Sequence, residues 1–169
     1  MRYIKLCSLI VVVTLSFAAK AQTTNYQVYA LFVVNIAKYS AWPNQNGDLN
    51  IAVFGKSKAY DELMKHNGKN VNGHVVKITQ VDDVALLGQP HIVYLADGKS
   101  NALDDIIKAT QGKAVMVITE REGLFKKGAG FSFVIMENST LRFDINNTEL
   151  EKRQIKVSKS LSSLANITI

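Results

Sequence analysis

Beyond residue 21 the sequence contains no cysteine, because the single Cys is Cys7. A chain without it has no disulfide, no thiolate nucleophile and no Cys-ligated metal. Proline is nearly absent too: the two, Pro43 and Pro90, each stand just ahead of a strand-like run, and no Pro-rich linker divides the chain. Repeats and low-complexity tracts are lacking. So is a Lys/Arg-dense stripe, which removes the main electrostatic signature of nucleic-acid binding. The histidines, His66, His74 and His91, show no HxxxH or HExxH spacing, so no metal site is expected. No Ser sits in a GxSxG elbow. The adjacent pairs Asp82-Asp83 and Asp104-Asp105 point their side chains apart on any regular element, so neither converges two carboxylates on one centre. The GKS at 55–57 follows a strand-like run, yet position 50 is Asn where a phosphate loop needs its first Gly. No catalytic residues and no cofactor are expected, and an enzyme is the least supported class.

What is present begins with MRYIKLCSLIVVVTLSFAAKAQ: Arg2 and Lys5, an apolar stretch, and the small-residue site Ala19-Lys20-Ala21. That is the three-part build of a secretory signal peptide over residues 1–21, with the exported protein starting at Gln22 and going to the periplasm. Removing it takes three of the 20 basic residues, leaving 17 against 14 acidic ones, so the formal charge falls from +6 to +3. Residues 22–169 fit one domain with a sizeable core.

Residues 29–43, YALFVVNIAKYSAWP, form the densest apolar run in that domain. A bilayer span needs about 20 mostly apolar residues, and this run carries Asn35 and Lys38 and ends at Pro43, so a core helix is the better reading. At 3.6 residues per turn, Gln27, Leu31, Asn35 and Lys38 share a narrow stripe. Tyr29, Phe32, Val33, Ile36, Ala37 and Tyr39 cover the rest, which predicts a helix buried on most sides. Pro43 turns the chain out of that helix and leaves Trp42 at its end, either sealing the core or presenting an indole N–H to a partner.

Downstream, LNIAVFG, HVVKITQV, HIVYLAD and AVMVITE read as strands, with Val75, Ile78 and Val81 the apolar positions of the second. Helices AYDELMKH, capped by Ser57, and ALDDIIKAT, capped by Ser100 or Asn101, lie between them. Strand–helix–strand recurs three times, and FSFVIMEN with TLRFDIN makes a hairpin. The fold expected is α/β: a single-domain sandwich with a mainly parallel or mixed sheet, helices on both faces and a C-terminal β-hairpin. Leu141, Phe143 and Ile145 share one face of the last strand, Arg142 and Asp144 the other, and Asn146 caps the turn that follows. The tail SKSLSSLANI predicts a short helix with Leu161, Leu164 and Ile167 along one side. Between strand and hairpin, EREGLFKKGAGF (120–131) reads as a flexible loop in which Leu124, Phe125, Gly128 and Gly130 are candidates for binding a small apolar or aromatic ligand.

In order, AKYSAWP, LNIAVFG, GKNVNGHVVKI, HIVYLAD, AVMVITE, GLFKKGAGFSFV, LRFDIN and SLSSLA resemble the YfiR family of bacterial periplasmic proteins across essentially all of 22–169. The resemblance implies an α/β sandwich and a regulatory role. Its best-known members hold a membrane-bound diguanylate cyclase inactive. Characterised members of this kind carry cysteines that can pair; the absence of Cys after residue 21 means redox control is not carried over. By residue, the resemblance places Arg142, Phe143 and Asn146, then Leu161 and Leu164, at the family's matching positions, and together with Trp42 these are the candidate partner-binding residues. The partner implied is a membrane-bound signalling protein, a diguanylate cyclase or a sensor kinase, with a homodimer also in view. The competing reading is a periplasmic small-molecule binding module without a protein partner.

Overall fold

A computed structural model describes residues 26–43 and 45–169, so the expected signal peptide lies outside the described residues. Helix α1 spans Tyr26–Lys38 and is followed by the two-residue strand β1, Ser40–Ala41. Then come β2 (Leu49–Phe54), α2 (Ala59–Met64), β3 (Asn70–Val71), β4 (His74–Val81) and β5 (Ile92–Leu95). Helix α3 (Leu103–Ala109), β6 (Met116–Thr119), β7 (Phe131–Ile135), β8 (Leu141–Ile145), α4 (Asn147–Lys152), β9 (Lys156–Val157) and α5 (Lys159–Ser162) complete the order.

Seven strands form one mixed sheet in the order β3-β4-β2-β5-β6-β7-β8, and β1 pairs antiparallel with β9 in a two-stranded ribbon. The centre is parallel: β2 with β4 and β5, β5 with β6, and β6 with β7. Both edges are antiparallel: the β7–β8 hairpin, as the change of pattern after Phe131 predicts, and β3 with β4, which the sequence reading did not anticipate. Every residue of β5 and β6 is buried, the consequence of a strand covered on both faces. On one face, α1 and α2 pack Val33, Ile36, Ala37 and Leu63 against Ile51, Val53, Ile92, Tyr94, Met116 and Ile118. On the other, Leu103 and Ile106 of α3 meet Val93, Leu95 and Val117. Full burial of each such aliphatic side chain contributes about 1.5–3 kcal/mol.

Several local expectations change. Only one face of α1 is buried, Tyr29, Ala30, Val33, Ile36 and Ala37, while Tyr39 is 45% exposed and Phe32 is half-buried. A dense apolar run overstates burial when a single sheet lies on one side of it. The helix also stops at Lys38, ahead of Pro43, because Ser40 and Ala41 leave to pair with Val157 and Lys156. In β4 the core positions are Val76 and Ile78, which share a face at period two, and not Val75 and Val81. An α-helical crossover occurs twice, not three times; the β4–β5 connection holds only the 3₁₀ turn Val84–Leu86. Neither Ser100 nor Asn101 caps α3, which continues directly from the 3₁₀ turn Asp97–Ala102. Ser57 does receive the Ala59 amide at 3.0 Å, satisfying a donor at the start of α2.

Candidate functional site

The C-terminal tail meets α1 and β8 in an apolar groove of about 420 Å³. Phe32, Ile36 and Tyr39 supply one wall, Phe143 the floor, and Leu161 and Leu164 the other wall, with Asn35 and Ser160 at the rim. Phe32 and Phe143 meet edge to face, their centroids 5.9 Å apart, so the inner end of the groove is closed by packed rings. Ser158 starts α5 by accepting the Leu161 amide at 3.2 Å, which rolls Leu161 inward to 4% exposure. Leu164, one turn on, is left 58% exposed, and Ile167 is 42% exposed, so the tail does not bury all three along one side. Lys38 and Lys159 flank the groove in sequence, and no acidic side chain lines it.

Of the candidate partner-binding residues, the groove brings together Phe143, Leu161 and Leu164. Arg142 is exposed on the opposite side of β8, as strand alternation requires. Asp144, on the same face as Arg142, is only 2% exposed, because the tail covers it: Asn166 Nδ2 donates to its carboxylate at 3.0 Å and the Ile167 amide at 3.1 Å. Asn146 accepts the Glu149 amide at 2.8 Å, the cap read from sequence, and also donates to the Phe125 carbonyl at 2.8 Å. Trp42 is 7% exposed, with its indole N–H donating to the His91 carbonyl at 3.2 Å and its ring edge-on to the His91 imidazole. It seals the core and leaves little surface for a partner. His91 accepts the Asn50 amide at Nδ1, 3.1 Å away; burial, then the neighbouring His74, pushes its pKa below the usual histidine value.

The expected ligand loop is closed. Residues Leu124–Lys127 wind into a 3₁₀ turn that buries Leu124 to 8% and Phe125 to 1% exposure. Its ends turn on Gly123 at φ 79° and Gly128 at φ 101°, a region that favours glycine. A Cβ on Gly128 would lie 2.8 Å from Ile107 Cδ1, and one on Gly130 would lie 2.7 Å from Leu150 Cδ2. Gly128 and Gly130 thus serve close packing of the turn against Ile107 and Leu150.

Sequence reading missed a polar lock at the C-terminal ends of β2, β5 and β6. The Glu120 carboxylate accepts hydrogen bonds from the Tyr94 hydroxyl at 2.7 Å, the Asp97 amide at 2.8 Å and the Ser57 hydroxyl. Burial first, and then Glu120, pushes the Tyr94 phenol well above its usual pKa. The donors come from two segments, Ser57 and Tyr94–Asp97, each more than twenty residues from Glu120 in sequence, and no short motif joins them to it. Among the described residues no group of His, Cys, Asp and Glu is arranged to hold a metal ion.

The profile of the YfiR/HmsC-like family matches residues 26–166. The chain belongs to that family. The match covers the sheet, both helical faces, and the groove as far as Leu164. No curated protein matches the chain. Among solved structures, the ABC domain from Streptococcus pneumonia, described as a complex with L-Trp, is similar with a TM-score of 0.58 and 13% identity. That likeness covers 80% of this chain and 59% of the other, so the chain spans about three-fifths of that structure's length. At such identity it shows the fold alone. Among the described residues no helix is long and apolar enough to cross a membrane.

Proposed function

We propose that this YfiR/HmsC-like protein is a non-catalytic periplasmic regulator that binds the extracytoplasmic part of a membrane signalling protein, a diguanylate cyclase, and holds it inactive. Family membership over residues 26–166 is the observation that carries this reading. The groove between α1, β8 and the tail is the surface that suits it. Tyr39 and Leu164, 45% and 58% exposed, offer apolar area that water covers at a cost, around a floor of packed rings. With Lys38 and Lys159 beside it and no acid in its lining, the occupant is an apolar segment of the partner with acidic flanks.

The test compares the wild-type protein with Leu164→Glu as bait for solubilised membranes, followed by binding of the purified extracytoplasmic domain of the captured cyclase. A carboxylate placed in the groove, where no backbone depends on Leu164, should weaken that binding at least about tenfold and leave the melting temperature unchanged. Capture of no membrane signalling protein, or equal binding by Leu164→Glu, would overturn the proposal.

A further inference from the structure

A second depression, of about 490 Å³, opens where α3, the 3₁₀ turn Leu124–Lys127 and α4 meet. Cations reach it from all three: Lys108 from α3, Lys127 from the turn, and Lys152 with Arg153 from the end of α4. Asp104 and Glu149 are its acids, so four cations and two carboxylates leave a net charge of +2. Glu149 is held by Arg153 at 2.8 Å, with Lys152 farther off at 3.9 Å, and Asp104 lies one turn before Lys108. Lys127 and Lys152 carry the surplus. Arg153 sets this place apart from a group of surface lysines. It is 8% exposed, and its guanidinium is fixed by Nε on Glu149 and by Nη1, which donates to the Thr110 carbonyl at 3.2 Å, the Thr110 hydroxyl at 3.1 Å and the Val115 carbonyl at 3.2 Å. Nη2 takes no part in these bonds and has no partner among the described residues. No buried side-chain nitrogen or oxygen of those residues lacks a partner, so Nη2 is not sealed inside the protein and opens on the wall that Arg153 gives to the depression.

We infer that this depression binds a small organic dianion of the dicarboxylate class, with one carboxylate on Arg153 Nη2 and the other among the lysines. Charge decides the sign. A cation would meet the surplus of +2, and an apolar ligand would find a single aliphatic side chain, Ile107, in the lining. Size decides the class: such a volume lies in the range of sites that take organic molecules, and a bare phosphate or sulfate ion would leave most of it to water. Cations standing on three separate elements suit acidic groups held apart by a short carbon chain, which Ile107 can cover. The anchor is ready before the ligand arrives. Arg153 is already held by its other nitrogens, so little side-chain freedom is lost when Nη2 meets a carboxylate, and the bond it makes is charge-assisted.

The experiment uses the purified protein alone, so its outcome does not depend on any membrane partner. Calorimetric titration with succinate is compared with succinamide, the neutral molecule of the same length, and with inorganic phosphate at matched ionic strength. Succinate should bind with one site per chain and raise the melting temperature. Succinamide should do neither, and phosphate should bind at least about tenfold more weakly. In a proton–nitrogen correlation spectrum the Nε–H signal of Arg153 should move during the succinate titration. Lys127 is exposed and in no ion pair among the described residues, so Lys127→Gln should fold as the wild type does and bind succinate about tenfold more weakly. Lys77→Gln removes the same charge from an exposed position of β4 outside the depression and should bind as the wild type does. Equal binding of succinamide or phosphate, several weak sites per chain, an unmoved Arg153 signal, or the same affinity in Lys127→Gln as in Lys77→Gln would each overturn the assignment.

Discussion

Trp42 shows how a single buried residue can carry two local signals that point in opposite directions. A tryptophan followed by proline at the end of an apolar run reads either as a core seal or as a ring offered to a partner. The structure turns it inward because β1 leaves α1 early to pair with β9, and Trp42 then falls beside His91 at the margin of the sheet. That pairing joins residues more than a hundred positions apart, a contact no local pattern encodes. Trp42→Phe should therefore cost stability. The hydrogen bond to the His91 carbonyl is lost, but that carbonyl keeps the Met116 amide at 2.9 Å, so no buried acceptor is orphaned. Lost contact area adds to the loss of the hydrogen bond, for a total of about 1–3 kcal/mol. Urea unfolding followed by far-UV circular dichroism measures this, and binding of the membrane partner should be unchanged. A variant as stable as the wild type but unable to bind the partner would return Trp42 to the interface.

At the scale of elements, the buried strands were the most legible part of the sequence, because β5 and β6 are short, nearly continuous apolar runs and β2 is one interrupted only at Asn50, each bounded by Gly, Pro or polar residues. The hairpin was legible for a different reason, the onset of alternation after Phe131. Residues 120–131 were not, since three glycines and two lysines give an open loop and a tight 3₁₀ turn the same composition. What decides between them lies elsewhere: Ser132 Oγ accepts the Phe125 amide at 2.6 Å, and Asn146 donates to the Phe125 carbonyl. The turn is thus pinned from β7 and from the cap of α4 at once. The groove was half legible, with Phe143, Leu161 and Leu164 reached through resemblance and Phe32 and Tyr39 assigned to the core. Gly128→Ala tests the turn. At φ 101° an alanine is strained, and its Cβ presses on Ile107, so a loss of about 1–3 kcal/mol is expected. Gly123→Ala, at φ 79° but with open space around its Cβ, should lose less, which a paired urea titration resolves.

Across the whole molecule, one sheet serves two cores that do not touch each other. Tyr94 and Ile118 face the α1 and α2 side, while Val93, Leu95 and Val117 face α3, so each central strand belongs to both. Neither face can lose its strands without exposing the other. Arg153 adds a clamp of the same kind, 8% exposed, donating from α4's end to the Thr110 carbonyl and the Val115 carbonyl, both at 3.2 Å, and to Glu149 at 2.8 Å. It ties the segment after the hairpin to the connection between α3 and β6. Such coupling predicts all-or-none unfolding, as single domains of this size usually show. The sequence holds one tryptophan, and Trp42 sits in the α1 core, so its fluorescence reports that side alone while far-UV circular dichroism reports every helix and strand. The two signals should trace one transition with a common midpoint in urea, and the calorimetric enthalpy should equal the van't Hoff value. A tryptophan transition displaced from the dichroism transition would mean that the α1 face melts separately, and the shared sheet would then fail to couple the groove to the rest of the fold.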